Sequence, residues 1–203
     1  MRPYTIEFEI AGPAAIFTRP DTLPAPTSYP APTYSQTKGL VESILFQRSV
    51  EVRPARVEIC APLVFQRYST NYGGPLRKSD QVKDDNNYQL LATILINVRY
   101  VIHADLLPTG AGEAGVTHAH AFQERFYRRL ENGRWWRTPC LGWAEFVPNY
   151  LGRRRPDTQR QTDLELVIPS MLHTVWSKPH WGTTKARYVQ NVKIEGGVLT
   201  YAQ

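Results

Sequence analysis

Residues 90–104, LLATILINVRYVIHA, limit the fold more than any other segment. The run carries one arginine and one histidine and is dense in β-branched side chains, so it belongs inside. It is shorter than the ~18 apolar residues that a membrane span needs. Its later part, Ile94–Ala104, fits a central strand with partners on both sides. Thr5–Ile10 is one partner, with Ile6, Phe8 and Ile10 alternating onto one face, and Gly12-Pro13 should end it. Val50–Val64 is β-branched but interrupted by Pro54 and Pro62, which assigns it to a sheet edge. Trp135–Phe146 reads as strand material around Leu141-Gly142. Tyr188–Ile194 and Val198–Tyr201 read as a strand pair across Gly196-Gly197.

Two segments carry helical spacing instead. Thr33 followed by Gln36 has capping-box spacing, and Leu40, Val41, Ile44 and Leu45 recur at helical intervals through about Gln47. In a second helix, from about His118 to Leu130, Phe122, Phe126 and Leu130 repeat every fourth residue as a buried stripe. Arg125, Arg128 and Arg129 lie off that stripe, and Asn132-Gly133 closes the helix. PTGAGEAGV (108–116) is a flexible loop, residues 19–32 are proline-rich and irregular, and RRRP (153–156) is a loop. Residues 66–88 are polar, aromatic and glycine-bearing, an excursion from the fold as a long loop or hairpin arm.

The order strand, helix, strand, excursion, strand, helix, then further β-material gives an α+β fold. It is close to a βαββαβ ferredoxin-like arrangement over residues 1–150, with the arm inserted at about 66–88 and a β-rich C-terminal extension over 151–203. Such folds serve many functions, so the architecture names none.

Charge narrows the choice. Residues 125–155 hold Arg125, Arg128, Arg129, Arg134, Arg137, Arg153, Arg154 and Arg155 against Glu131 and Glu145, an excess equal to the whole net charge of +6. Arginine at this density favours planar, bidentate contact with phosphates, so a polyanion partner is the simplest reading, with a solvated basic face that binds nothing as the alternative. Cys60 and Cys140 have no zinc or redox spacing and read as buried free thiols of a cytoplasmic protein. The N-terminus has no signal-peptide pattern. No His, Asp and Glu set has metal-ligand spacing, and GAGEAG (110–115) lacks the Lys-Ser/Thr of a phosphate-binding loop, so no metal or cofactor is expected. His103 lies in a strand, as a core residue. His173 and His180, beside Trp176 and Trp181, are assigned to packed aromatics rather than to a site.

Four segments in order resemble the subtype I-C branch of the Cas-five family of the RAMP superfamily: IEFEIAGPAAIFTRP (6–20), SYPAPTYSQTKGLVESILF (28–46), VRYVIHADLL (98–107) with THAHAFQERFYRRLENG (117–133), and CLGWAEF (140–146). The C-terminal third matches only loosely. The resemblance implies an RRM-like domain with a protruding thumb, which caps the 5′ handle of the guide RNA (crRNA) in a Cascade-like complex. The partners implied are the backbone subunit, the large subunit and, near the target, double-stranded DNA. The arm at 66–88 is the candidate thumb. Its Arg67, Tyr68, Tyr72, Arg77 and Lys78 suit splayed single-stranded RNA, aromatics stacking on bases and cations holding phosphates.

The same branch processes the precursor of its guide without metal. A base takes the 2′-hydroxyl proton, that oxygen attacks the adjacent phosphate, an acid protonates the leaving 5′ oxygen, and a cation steadies the crowded phosphorane. The family supplies a Tyr on the first helix and a Lys-His pair at the second. Here Leu45 stands at the Tyr position and Thr117 at the Lys position, and only His118 remains. Lys38 and Tyr34 are the candidate replacements for the missing cation and phenol. His120, about 200° around the helix from His118, cannot readily share its site. Three readings stay open on the residues alone: a non-catalytic capping subunit, a metal-independent endoribonuclease, and a basic RNA-binding module outside CRISPR.

Overall fold

The computed structural model describes residues 4–22, 24–72, 79, 83, 88–109, 113–176 and 184–202. In chain order the elements are β1 (Tyr4–Ala15), α1 (Tyr34–Ile44), β2 (Val50–Ile59), β3 (Val64–Tyr72), β4 (Tyr88–Pro108), α2 (Glu113–Glu131), β5 (Tyr150–Gly152), β6 (Leu166–Trp176), β7 (Thr184–Glu195) and β8 (Val198–Thr200). The strands form one sheet in the order β5-β1-β4-β2-β8-β7-β6, with β3 paired to β4, and every strand pairing is antiparallel. An antiparallel sheet with the helices α1 and α2 among the described residues makes the fold α+β.

The long apolar run became the 21-residue β4, flanked by β1 on one side and by β2 and then β3 on the other. Phe8 pairs with Ile102 and Ile6 with Ala104, which puts their side chains on the face that α2 covers. There Phe8 meets Phe126 with ring centroids 5.5 Å apart, and Phe122, Phe126 and Leu130 are all buried. The capping box forms as the spacing predicts: Gln36 N–H donates to the Thr33 hydroxyl and Thr33 N–H to the Gln36 side chain. α1 then buries Thr37, Leu40, Val41 and Ile44.

Several expectations need correction. Gly12-Pro13 does not end β1. The register passes from Gly12↔Val98 to Ala14↔Ile96, and the intervening Asn97 takes φ 53°, bending the ladder around a proline that has no N–H to give. β2 is not an edge strand, because β8 pairs with Arg56–Glu58 once a register shift between Pro54 and Arg56 has absorbed the proline. Residues 135–146 form turns rather than a strand. Gly142 there, at φ 102°, lies where a side chain would overlap the Ile16 carbonyl. α2 begins at Glu113, five residues before the expected start. The C-terminal hairpin turns at Gly196 and Gly197, with φ 54° and 73°, as its sequence predicts. Residues 151–203 also contribute β6, and they extend the same sheet.

Candidate nucleic-acid interface

The arginines divide into two populations. Alternation along β1 sends Phe8 to the helix layer and Glu9 to the opposite face, where Glu9 is fully buried. Arg155 answers it with its backbone N–H at 2.9 Å, its Nε at 2.9 Å and its Nη2, and the Thr158 hydroxyl adds a bond of 2.7 Å. Burial alone would raise the Glu9 pKa, but these donors outweigh it and hold the carboxyl below its ordinary range. Arg154 donates to Glu58 at 3.1 Å. His103 lies between Glu58 at 2.9 Å and Glu7 at 3.4 Å, yet burial and the nearby Arg56 keep its pKa depressed. Arg153 pairs with Glu131 at 2.9 Å and lies over the Tyr127 ring. Arg154 and Arg155 thus fasten the 153–158 loop to the sheet, and Arg153 ties it to α2. Their charges are paired with Glu131, Glu58 and Glu9.

Arg125, Arg128, Arg134 and Arg137 are exposed and make no ion pair with any carboxylate among the described residues. Arg129 is half-buried, and its Nη1 caps the C-terminal end of α1 by donating to the Ile44 carbonyl at 3.1 Å. At intervals of seven and four residues, His118, Arg125 and Arg129 fall on one stripe of α2. The stripe spans about 16 Å, from eleven residues at 1.5 Å each. His118 itself is exposed, and His120 has turned away to meet Tyr4 at a ring distance of 5.7 Å.

α1 finishes at the end of the sheet where β2 starts and β4 ends. Thr109 N–H donates to Ser49 O at 3.0 Å, and Val50 pairs with Pro108. The segment 45–49 thus lies beside the end of β4, whereas the family site takes positions 45, 117 and 118. Leu45, however, is only 7% exposed and belongs to the core. Tyr34 packs elsewhere in the fold. Tyr34 stacks on His173 with centroids 4.1 Å apart and meets Tyr201 edge-on at 5.8 Å. It lies against β6 and the chain after β8, whereas α2 starts against β1. Between β1 and β8 come β4 and β2, three strand spacings or about 14 Å. Lys38 is one turn along α1 from Tyr34.

Tyr34 instead borders a pocket of about 490 Å³ with Met171, His173, Asn191, Lys193 and Tyr201. His173 is the extra residue of a bulge between Leu172 and Thr174. It donates from Nε2 to Ala202 O at 3.0 Å, and burial lowers its pKa. It is packed, as expected.

On the arm, β3 and the first half of β4 form the ladder that the excursion suggested. Arg67 is exposed. Tyr68 packs under Phe146 at 5.5 Å and Trp143 at 6.4 Å. Tyr72 ends β3 opposite Tyr88. Arg77 and Lys78, like His180 and Trp181, lie outside the described residues. Cys60 is buried and its thiol is pushed up to about 11, while Cys140 is half-buried, and neither is in a disulfide. No group of three potential metal ligands occurs among the described residues, and none of their helices is long and apolar enough to cross a membrane.

Comparison with known proteins decides the family. A family model described as CRISPR-associated protein (Cas_Cas5), for the Cas5d group, matches residues 5–187. The chain belongs to the Cas5d family. It is similar to a CRISPR pre-crRNA endoribonuclease Cas5d of Thermus thermophilus, 28% identical over 155 residues, covering 72% of this chain and 62% of the relative. A protein of the same name from Mannheimia succiniciproducens is 29% identical over 161 residues, covering 71% of each. The chain thus spans less than two thirds of the Thermus relative. The fold is similar to a functionally uncharacterized protein from Streptococcus mutans, at TM-score 0.71 and 15% identity over 100% of this chain and 94% of the other. It is also similar to a chain of a CRISPR RNA-guided surveillance complex, at 0.55 and 14% over 92% and 90%.

Proposed function

We propose that this protein is the guide-RNA subunit of a type I CRISPR interference complex, capping the 5′ handle of the crRNA and touching the backbone and large subunits of a Cascade-like assembly. The observation that carries this is the Cas5d family match over residues 5–187. The unpaired arginines on and after α2 suit a phosphate backbone. The sheet order β5-β1-β4-β2 supports an RRM-like core, being the fourth-first-third-second order of a βαββαβ chain. The arm of β3 and β4 corresponds to the thumb. Target double-stranded DNA is a further partner on the family resemblance alone.

Capping without cleavage fits the site better than cleavage. A buried Leu45 has no proton to give, and His118 stands exposed to solvent. The names of the two relatives favour a second reading, metal-independent processing of the precursor with His118 as acid or base. The test of the first reading is binding to repeat RNA with and without its 5′ handle. Removing the handle is expected to cost at least tenfold in Kd. Equal affinity for both RNAs would overturn handle recognition.

A further inference from the structure

Two large rings stand in water among the unpaired arginines. Trp136 is 61% exposed and Phe46 is 48% exposed. They come from distant parts of the chain, and the backbone brings them together: the N–H groups of Trp136 and Arg137 both donate to Ser43 O, at 2.8 and 2.9 Å, and Phe46 follows three residues later. Trp135 packs on the core beside them, so the chain direction at 135–136 turns the next ring outward. Arg129 anchors at Ile44, one residue beyond Ser43. Arg134 and Arg137 flank Trp136 in sequence, and Arg48 is exposed two residues after Phe46. No carboxylate among the described residues pairs with Arg48, Arg134 or Arg137.

We infer that Trp136 and Phe46 are a stacking platform for unpaired bases of the guide RNA. The proposal rests on the guide-RNA reading above and adds where, and in which form, the strand is held. Exposed indole and phenyl rings offer flat faces to bases but have no use for a duplex, whose bases are already stacked. The surrounding positive charge favours nucleic acid over an apolar protein surface. From the platform, the stripe of Arg129 and Arg125 leads along α2 to His118, about 16 Å from Arg129. A strand stacked at one end therefore passes its phosphates over two guanidinium groups before reaching the histidine.

The test compares single-stranded repeat RNA with the same RNA annealed to its complement, using Trp136→Ala, Phe46→Ala and Arg137→Ala of the full chain. Loss of one stacked base is worth about five- to a hundredfold in affinity. Trp136→Ala and Phe46→Ala should weaken single-strand binding by at least fivefold, with an unchanged slope of log K against log salt and an unchanged melting temperature. Arg137→Ala should make the slope shallower. If both ring variants bind as wild type while Arg137→Ala weakens, stacking is overturned and the guide-RNA reading survives. If the ring variants keep their RNA but lose the backbone subunit, the patch is a protein interface and the proposal also fails. If wild type binds neither RNA, the guide-RNA reading itself falls.

Discussion

Glu9 shows how much of the local charge pattern serves the fold. Its carboxylate is fully buried, so it depends on Arg155 and Thr158 for every compensating hydrogen bond. Arg155→Ala would leave the buried charge with only the Thr158 hydroxyl, the backbone N–H at position 155 and Arg99, at 3.7 Å, to offset it. The expected loss is about 3 kcal/mol, at the low end of such cases because the arginine is partly exposed. Urea unfolding of the variant measures it, and an unchanged midpoint would show that Arg155 is dispensable. Acid should act on the same cluster. The depressed pKa values of His103 and His173 mean that the unfolded chain binds protons more readily than the folded one below about pH 6.5. Their contribution is present above that pH and is lost as the pH falls. Glu9, whose pKa is also depressed, loses its contribution at lower pH still. Melting temperature is expected to decline from pH 7 to 5, and a flat profile would contradict this assignment of neutral, buried histidines.

Among the elements, α2 joins core and surface. One stripe holds Phe122, Phe126 and Leu130 against β1, and its flank carries His118, Arg125 and Arg129. Phe126→Ala should cost about 3–5 kcal/mol, since the ring is fully buried against Phe8 and Phe122. Thermal unfolding reads it, and a loss below about 1 kcal/mol would remove Phe126 from the core. That stripe, the capping box at Thr33 and the central strand were legible in the sequence because each follows from a short-range period. The pairing of Arg154 and Arg155 was not. It depends on which strand face Glu58 and Glu9 occupy, and they lie about 96 and 146 residues away from their partners. The turns at 135–146 were hidden for a related reason: β-prone residues lie around Gly142, whose positive φ and contact with Ile16 are set by packing. Trp136 and Phe46 gave no signal as a pair, because only the bonds to Ser43 bring them together. A tryptophan in an arginine-rich segment was the one available hint.

Over the whole molecule, the net charge of +6 is less informative than its sorting. Arg154 and Arg155, after β5, close the sheet face, while Arg125, Arg128, Arg129, Arg134 and Arg137, on and after α2, pair with no carboxylate among the described residues, and Arg129 alone of them is held by the Ile44 carbonyl. Replacing Arg125, Arg128 and Arg129 together by alanine should weaken RNA binding and reduce the salt slope by roughly two to three. An unchanged slope would take α2 out of the interface. Filter binding of repeat RNA across a salt series reads both quantities. The central claim is that this Cas5d family member holds guide RNA without cutting it. End-labelled repeat RNA incubated with wild type and His118→Ala in EDTA tests it most directly. The expected result is a stable, salt-sensitive complex and intact RNA in both. A single product ending in a 2′,3′-cyclic phosphate, made by wild type and absent with His118→Ala, would contradict it and establish a nuclease.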